Sequence, residues 1–170
     1  MKGLSENILV EHFSFERENI QRHRLYTALT YSFSHMSLLH FGNRGFDVAI
    51  NMLALQLMGT KIHQRYGPKY VWLLYLAGAI AGSVAMNYMM PYDTIPMPKV
   101  GADPCIASFI GFMATLSPRA TIFNFIVPVK FWFLVLLGFG LIMVSDSSRK
   151  NLGGLAMGVG LGLARRSLLL

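Results

Sequence analysis

Two aspartates are among the few side chains in this apolar chain whose types could do chemistry. Asp47 closes the triplet Gly-Phe-Asp, and Asp103 closes the triplet Gly-Ala-Asp. Two carboxylates held close together can share a proton, so that one acts as a general acid and the other as a general base. A pair of catalytic aspartates is therefore one interpretation of these residues.

Asp103 also has a simpler structural interpretation, because Pro104 follows it directly. Aspartate is among the preferred residues at a helix N-cap, and proline is favoured at the first helical position. The two residues therefore predict the start of a short helix with Asp103 as its N-cap. We favour this interpretation over the aspartate pair.

The remaining polar candidates are isolated from one another. His35 and His40 are five residues apart, so they do not share a helical face well, and a metal site would need further ligands. Ser108 lies more than one helical turn beyond Asp103 and has no base that can be assigned to it. We expect Ser108 to be a packing hydroxyl, and we expect neither a metal nor another cofactor.

The composition indicates a membrane protein. Of the 170 residues 54% are hydrophobic and 14% are charged, and the mean hydropathy is +0.46, whereas about a quarter of the residues of a soluble domain are charged. The formal net charge of +7 is scattered over short loops without a nucleic-acid-binding motif. These basic residues indicate membrane topology and contacts with lipid headgroups rather than a nucleic-acid partner.

Two apolar segments are long enough to cross a bilayer. Pro68–Met90 has 23 residues, which is about 35 Å of helix at ~1.5 Å per residue. Ile122–Val144 is equally long, but it contains Pro128 near its start. We therefore expect the apolar core of that second helix to begin near Phe131.

The other apolar segments are shorter or interrupted. Cys105–Leu116 is too short to span a membrane alone, and Asn151–Ala164 is short and rich in glycine. Tyr26–Leu39 and Val48–Met58 are separated by a polar insert that ends at Asp47. The pattern predicts either a helix broken at the insert or an insert that points into the bundle.

Small residues recur every four positions in three of these segments, which places them on one helical face and lets neighbouring backbones approach closely. The spacing predicts a tightly packed bundle. The packing residues are Gly78 and Gly82, Ala107 and Gly111, and Gly154, Gly158 and Gly162.

Several segments together resemble the rhomboid intramembrane serine proteases, in particular their mitochondrial, presenilin-associated rhomboid-like branch, over about residues 13–166. The segments are RLYTALTYSFSH (24–35), His40, NMLALQLMG (51–59), RYGPKYVWLLYLAGAIAGS (65–83), VGAD (100–103), SPRATIFNFIVPV (117–129) and NLGGLAMG (151–158). The resemblance implies a helical bundle with a serine in a Gly-x-Ser-Gly turn, a histidine base on the last helix, and a histidine and an asparagine near the oxyanion.

The positions that should carry this chemistry hold other residues. Asp103 stands at the serine position and Asn151 at the base position, while His40 and Asn51 are eleven residues apart where the family pattern has four. An amide does not take up a proton at neutral pH. The resemblance therefore implies a catalytically inactive member, a pseudoprotease. The spacing of Asp47 and Asp103 also does not match the helices of two-aspartate membrane proteases.

The resemblance also sets the expected architecture. The family core begins with a helix before the segment that matches Arg24–His35, and this sequence has none there. We therefore expect an all-α membrane protein, a rhomboid-like bundle that lacks the first helix and has about five membrane segments. The expected divisions are a polar arm at 1–25, the membrane domain at 26–166 and a tail at 167–170.

The function implied is that of a non-catalytic subunit or scaffold of a mitochondrial inner-membrane complex, such as a respiratory complex, an ATP synthase or the import machinery. Two alternatives stay open, a membrane client-binding or translocation factor and a residual intramembrane protease. The expected partners are other membrane subunits and lipids, with a bound phospholipid such as cardiolipin.

The polar insert is the expected partner interface. Asn43, Arg44 and Asp47 lie in a segment that is otherwise apolar, and a charged residue there costs about 2.5–3.5 kcal/mol unless it is paired. By the positive-inside rule, the loop that carries Arg65 and Lys69 is expected to face the matrix in a multi-pass arrangement.

Overall fold

The computed structural model describes residue 8 and residues 11–34, 45–89, 100–117, 121–123, 129–130 and 148–168. This part of the chain is mostly helical. Its helices are α1 (Arg17–Gln21), α2 (Thr27–Thr30), a 3-10 turn (Tyr31–Phe33), α3 (Gly45–Tyr66), α4 (Pro68–Met89), α5 (Asp103–Leu116) and α6 (Ser148–Ser167). Two short strands, β1 (Thr121–Phe123) and β2 (Val129–Lys130), pair antiparallel.

Helix α4 matches the predicted long apolar segment. Within the described ranges, Pro68–Tyr88 is the one helix that is long and apolar enough to cross a membrane. It begins at a proline, which suits a first helical position, and the preceding Gly67 has a φ of +89° that favours glycine. The predicted count of about five membrane segments stays a prediction, because much of the other apolar sequence lies outside the described residues.

Helix α5 is the centre of the core. It has 14 residues and is apolar on nearly all sides, with Cys105, Phe109 and Phe112 fully buried. Helices α3, α4 and α6 all contact it. A helix this short is stable at membrane depth only where other protein segments cover its ends, and these three helices provide that cover.

Glycines bring α4 and α6 close to α5. On α6, Gly154 and Gly158 face the backbone carbonyls of Pro104 and Ser108, so that a methyl group at either position would overlap them. On α4, a methyl group at Gly78 would lie 2.8 Å from the Ser108 hydroxyl oxygen. Gly82, Gly111 and Gly162 also face neighbouring helices at such short range. The bundle is therefore packed backbone against backbone along α5.

The start of the apolar run Ile122–Val144 forms a short strand pair rather than part of a helix. Thr121 pairs with Lys130 and Phe123 with Val129, with an irregular register between them. Pro128 cannot donate a helical hydrogen bond, and β-branched and aromatic residues favour extended backbone. The apolar core predicted from Phe131 lies outside the described residues.

The described part of the first apolar segment, residues 26–34, is less helical than expected. Within it, Thr27–Phe33 forms helical turns, and Ser34 is extended with φ −103° and ψ 149°. The hydroxyls of Thr27 and Ser32 donate to backbone carbonyls three residues earlier, at 2.7 Å each, and such local bonds compete with a regular helix. The Tyr31 hydroxyl then donates to the Ala79 carbonyl at 2.8 Å, which fixes this segment against α4.

Candidate functional site

The segment that leads into α5 is held by backbone contacts. Gly101 has a φ of +116°, a conformation that favours glycine, and its N–H donates to the Tyr31 carbonyl at 3.0 Å. Ala102 occupies the N-cap position, and Asp103 is the first residue of the helix. The helix thus starts where the sequence predicts, but the prediction that Asp103 is the N-cap itself is wrong by one residue.

The Asp103 carboxylate joins three helices. Its Oδ2 lies 2.6 Å from the ammonium nitrogen of Lys150 on α6. Its Oδ1 accepts a hydrogen bond of 2.9 Å from the side-chain amide of Asn51 on α3. A charge-assisted bond of this length is stronger than one between neutral groups, so these two residues of other helices help to position the carboxylate.

Burial makes the Lys150 ammonium dependent on this contact. The side chain of Lys150 is 6% exposed, whereas that of Asp103 is 34% exposed. The ammonium also donates to the Val100 carbonyl at 3.3 Å. A buried charge costs several kcal/mol unless it is paired, and Asp103 supplies the opposite charge.

A Rhomboid domain model matches residues 22–167 of the chain. The chain belongs to the rhomboid family. This confirms the resemblance found in the sequence motifs.

Similar proteins include mitochondrial members of the family. The mitochondrial RHOMBOID-like protein 12 of Arabidopsis thaliana is 27% identical over 90% of this chain and 50% of its own length. The chloroplastic Rhomboid-like protein 16 of the same plant is 27% identical over 89% of this chain and 52% of its own. The mitochondrial Rhomboid protein 1 of Saccharomyces cerevisiae is 31% identical over 58% of this chain and 27% of its own. The chain thus spans about half the length of the two plant relatives.

Two of the family's expected site positions meet in this rhomboid domain. Asp103, predicted to stand at the serine position, contacts Asn51. Asn151, predicted to stand at the base position, has a buried side-chain oxygen with no hydrogen-bond partner among the described residues. His40 lies outside the described residues, and the residue one turn before Asn51 on the described part of α3 is Asp47.

The predicted partner interface is only partly described. Asn43 and Arg44 lie outside the described residues, and Asp47 is described by its backbone alone. Neither the predicted interface nor the aspartate pair of Asp47 and Asp103 is therefore tested by side-chain contacts.

Sequence reasoning missed Lys150, the residue that pairs with Asp103. The family resemblance assigned a role only to its neighbour Asn151, which is predicted to stand at the position of the histidine base. A helix turns about 100° per residue, so adjacent positions face different neighbours. The available signal was a lysine directly before the glycine-rich apolar segment Asn151–Ala164.

The hydroxyl of Ser108 on α5 has a structural role. Its side chain is fully buried, and the hydroxyl lies 2.7 Å from the Leu74 carbonyl and 2.8 Å from the Cys105 carbonyl, to which it can donate. These contacts tie α5 to α4. Within the described ranges, no group of three or more histidine, cysteine, aspartate or glutamate residues is placed to hold a metal ion.

Proposed function

We propose that this rhomboid-family membrane protein is a non-catalytic member, and the Asp103–Lys150 ion pair carries the proposal. Family-type peptide hydrolysis requires a hydroxyl nucleophile and a base within hydrogen-bond reach of it. The serine position instead holds a carboxylate that is bonded to an ammonium group and an amide. A carboxylate in this environment is stabilised as an anion and has no proton to give up as a serine does.

The same contacts support a scaffold role. The ion pair and the Asn51 amide join α3, α5 and α6 at the position predicted to correspond to the family's serine. Glycine contacts join α5 and α6 along the rest of their length. These contacts hold the three helices together, and a rigid bundle of this kind suits a structural subunit of an assembly.

Helix α4 offers a surface for such an assembly. Trp72, Leu73, Ile80 and Val84 are each about half exposed on this apolar helix. An exposed apolar face at membrane depth contacts either lipid or a helix of another protein. We propose that it packs against other subunits of a mitochondrial inner-membrane complex, in a multi-pass protein, and the mitochondrial relatives support this location.

A reconstitution experiment tests the loss of catalysis. The full chain is placed in liposomes with rhomboid model substrates and a fluorophosphonate probe for activated serines, next to an active rhomboid protease as the positive control. We expect neither cleavage nor labelling above background. Labelling that disappears in a Ser108→Ala variant would instead support the residual-protease alternative.

An affinity purification tests the subunit role. The tagged chain is isolated from mitochondria in mild detergent, and its partners are quantified by mass spectrometry. A fixed stoichiometry with the same membrane proteins is expected. Variable, substrate-like partners would favour a client-binding or translocation factor.

A further inference from the structure

We propose that the end of the bundle opposite Asp103 binds the phosphate headgroup of an anionic phospholipid, with Arg165 as its central ligand. This end consists of the last turns of α6 and the junction between α3 and α4. This end is separate from the site around Asp103, and lipid binding here does not depend on whether the protein is catalytic.

Two arginines meet on one aromatic cluster here. The guanidinium carbon of Arg165 lies 5.5 Å from the ring centroid of Tyr66 and 4.6 Å from that of Tyr70. Its Nη1 also donates to the Tyr70 hydroxyl at 2.6 Å. The guanidinium carbon of Arg65 lies 5.8 Å from the same Tyr66 ring. Two positive groups are therefore gathered around one side chain.

This local positive charge has no described carboxylate to balance it. Lys69 and Arg166 are exposed near the same two helix ends, and the stretches 60–70 and 160–168 contain no aspartate or glutamate. Arg65 and Arg165 take part in none of the ion pairs found among the described residues. Like charges gathered in this way repel one another, so an anion that binds near them is stabilised.

Arg165 is prepared for such an anion. The Tyr70 bond and the two rings restrict its side chain, and less conformational entropy is then lost when a ligand binds. Its Nε is buried without a hydrogen-bond partner among the described residues, so the group has donor capacity that the described protein does not use. A guanidinium group matches the geometry of phosphate oxygens, which it can bind through two parallel hydrogen bonds.

The position of this cluster favours a lipid over a soluble anion. Tyr70 and the 61% exposed Trp72 lie at one end of the membrane helix α4, and the 82% exposed Tyr88 lies at the other. Trp72 and Tyr88 are separated by roughly 24 Å of helix at ~1.5 Å per residue, close to the ~30 Å hydrocarbon thickness of a bilayer. Aromatic residues at both ends of a span mark the headgroup regions, so Arg165 lies at headgroup depth.

Native mass spectrometry of the purified full chain tests the proposal with three probes: phosphatidylglycerol, phosphatidylcholine and inorganic phosphate. We expect phosphatidylglycerol to bind at least about tenfold more tightly than phosphatidylcholine, as expected for one or two charge-assisted hydrogen bonds. The preference should weaken as ionic strength rises, because the charges are partly exposed. Equal binding of the two lipids would overturn the proposal, and displacement of the lipid by millimolar phosphate would show a site for free anions instead.

Variants connect the binding to this cluster. Arg165→Gln is expected to remove most of the preference for phosphatidylglycerol, whereas Arg22→Gln, with the same change of charge at an exposed residue just after α1, should leave it unchanged. Because Arg165 also contacts Tyr66 and Tyr70, its substitution can disturb folding. The double variant of the exposed Lys69 and Arg166 to glutamine avoids this problem and should weaken binding several-fold at unchanged thermal stability. Wild-type binding by the double variant and by a folded Arg165→Gln would refute the site.

Discussion

The contacts of Asp103 and Lys150 predict that the free energy of unfolding falls more when the charge of Asp103 is removed than when that of Lys150 is removed. Asp103→Asn leaves a 6% exposed ammonium whose other described hydrogen bond is to the Val100 carbonyl at 3.3 Å. Removing one partner of a buried pair costs about 3–5 kcal/mol, because the remaining charge is left uncompensated. The free energy of unfolding should fall by an amount in this range.

Lys150→Met should cost less. The remaining carboxylate is 34% exposed and keeps the Asn51 amide at 2.9 Å, so water and a hydrogen bond both stabilise it. The exposed share of the side chain screens its charge, and we expect a loss of about 1–2 kcal/mol. The double variant Asp103→Asn with Lys150→Met removes both charges, and it should be about 2 kcal/mol more stable than Asp103→Asn alone.

The assay is unfolding by sodium dodecyl sulfate in mixed micelles, followed by circular dichroism. Glu18→Gln is the matched control, because it breaks an ion pair with Arg22 whose side chains are 61% and 56% exposed, and such surface pairs contribute little. Wild-type stability of Asp103→Asn would refute this prediction. A double variant that is less stable than both single variants would refute it as well.

Three further predictions concern packing, pH and assembly. Gly158→Ala should destabilise the fold by about 1–3 kcal/mol in the same unfolding assay, because its methyl group meets the backbone of α5, whereas Gly160→Ala, with open space around it, should not. The hydrogen bond from Arg24 and the positive charge of Arg24 lower the pKa of Glu11 below its ordinary 4.5. The pair should therefore stabilise the N-terminal arm above about that pH and lose its effect as pH falls through the lowered pKa; Glu11→Gln should abolish this pH dependence of amide protection in hydrogen exchange. Arg44→Glu should release the chain from its membrane complex in native gels, and assembly at wild-type stoichiometry would contradict the predicted interface.

Local sequence patterns determined a large part of this protein. The apolar run after Gly67 predicted helix α4, and Asp103-Pro104 predicted the start of α5, because both depend on neighbouring residues only. Pattern alone did not predict the strand Thr121–Phe123, which lies at the start of an apolar run whose helical core was predicted from Phe131. Strand pairing with Val129–Lys130 decides that region, and pairing depends on residues that are distant in the chain.

The family was also readable from the sequence, since motifs survive where backbone geometry demands particular residues. The ion pair between Asp103 and Lys150 could not be predicted from the sequence. Whether Lys150 or Asn151 faces α5 depends on the rotation of α6 about its own axis, and one residue changes that direction by about 100°. Glycine contacts between α5 and α6 set this rotation. Only the tertiary packing therefore decided that the Asp103 carboxylate meets a buried ammonium group.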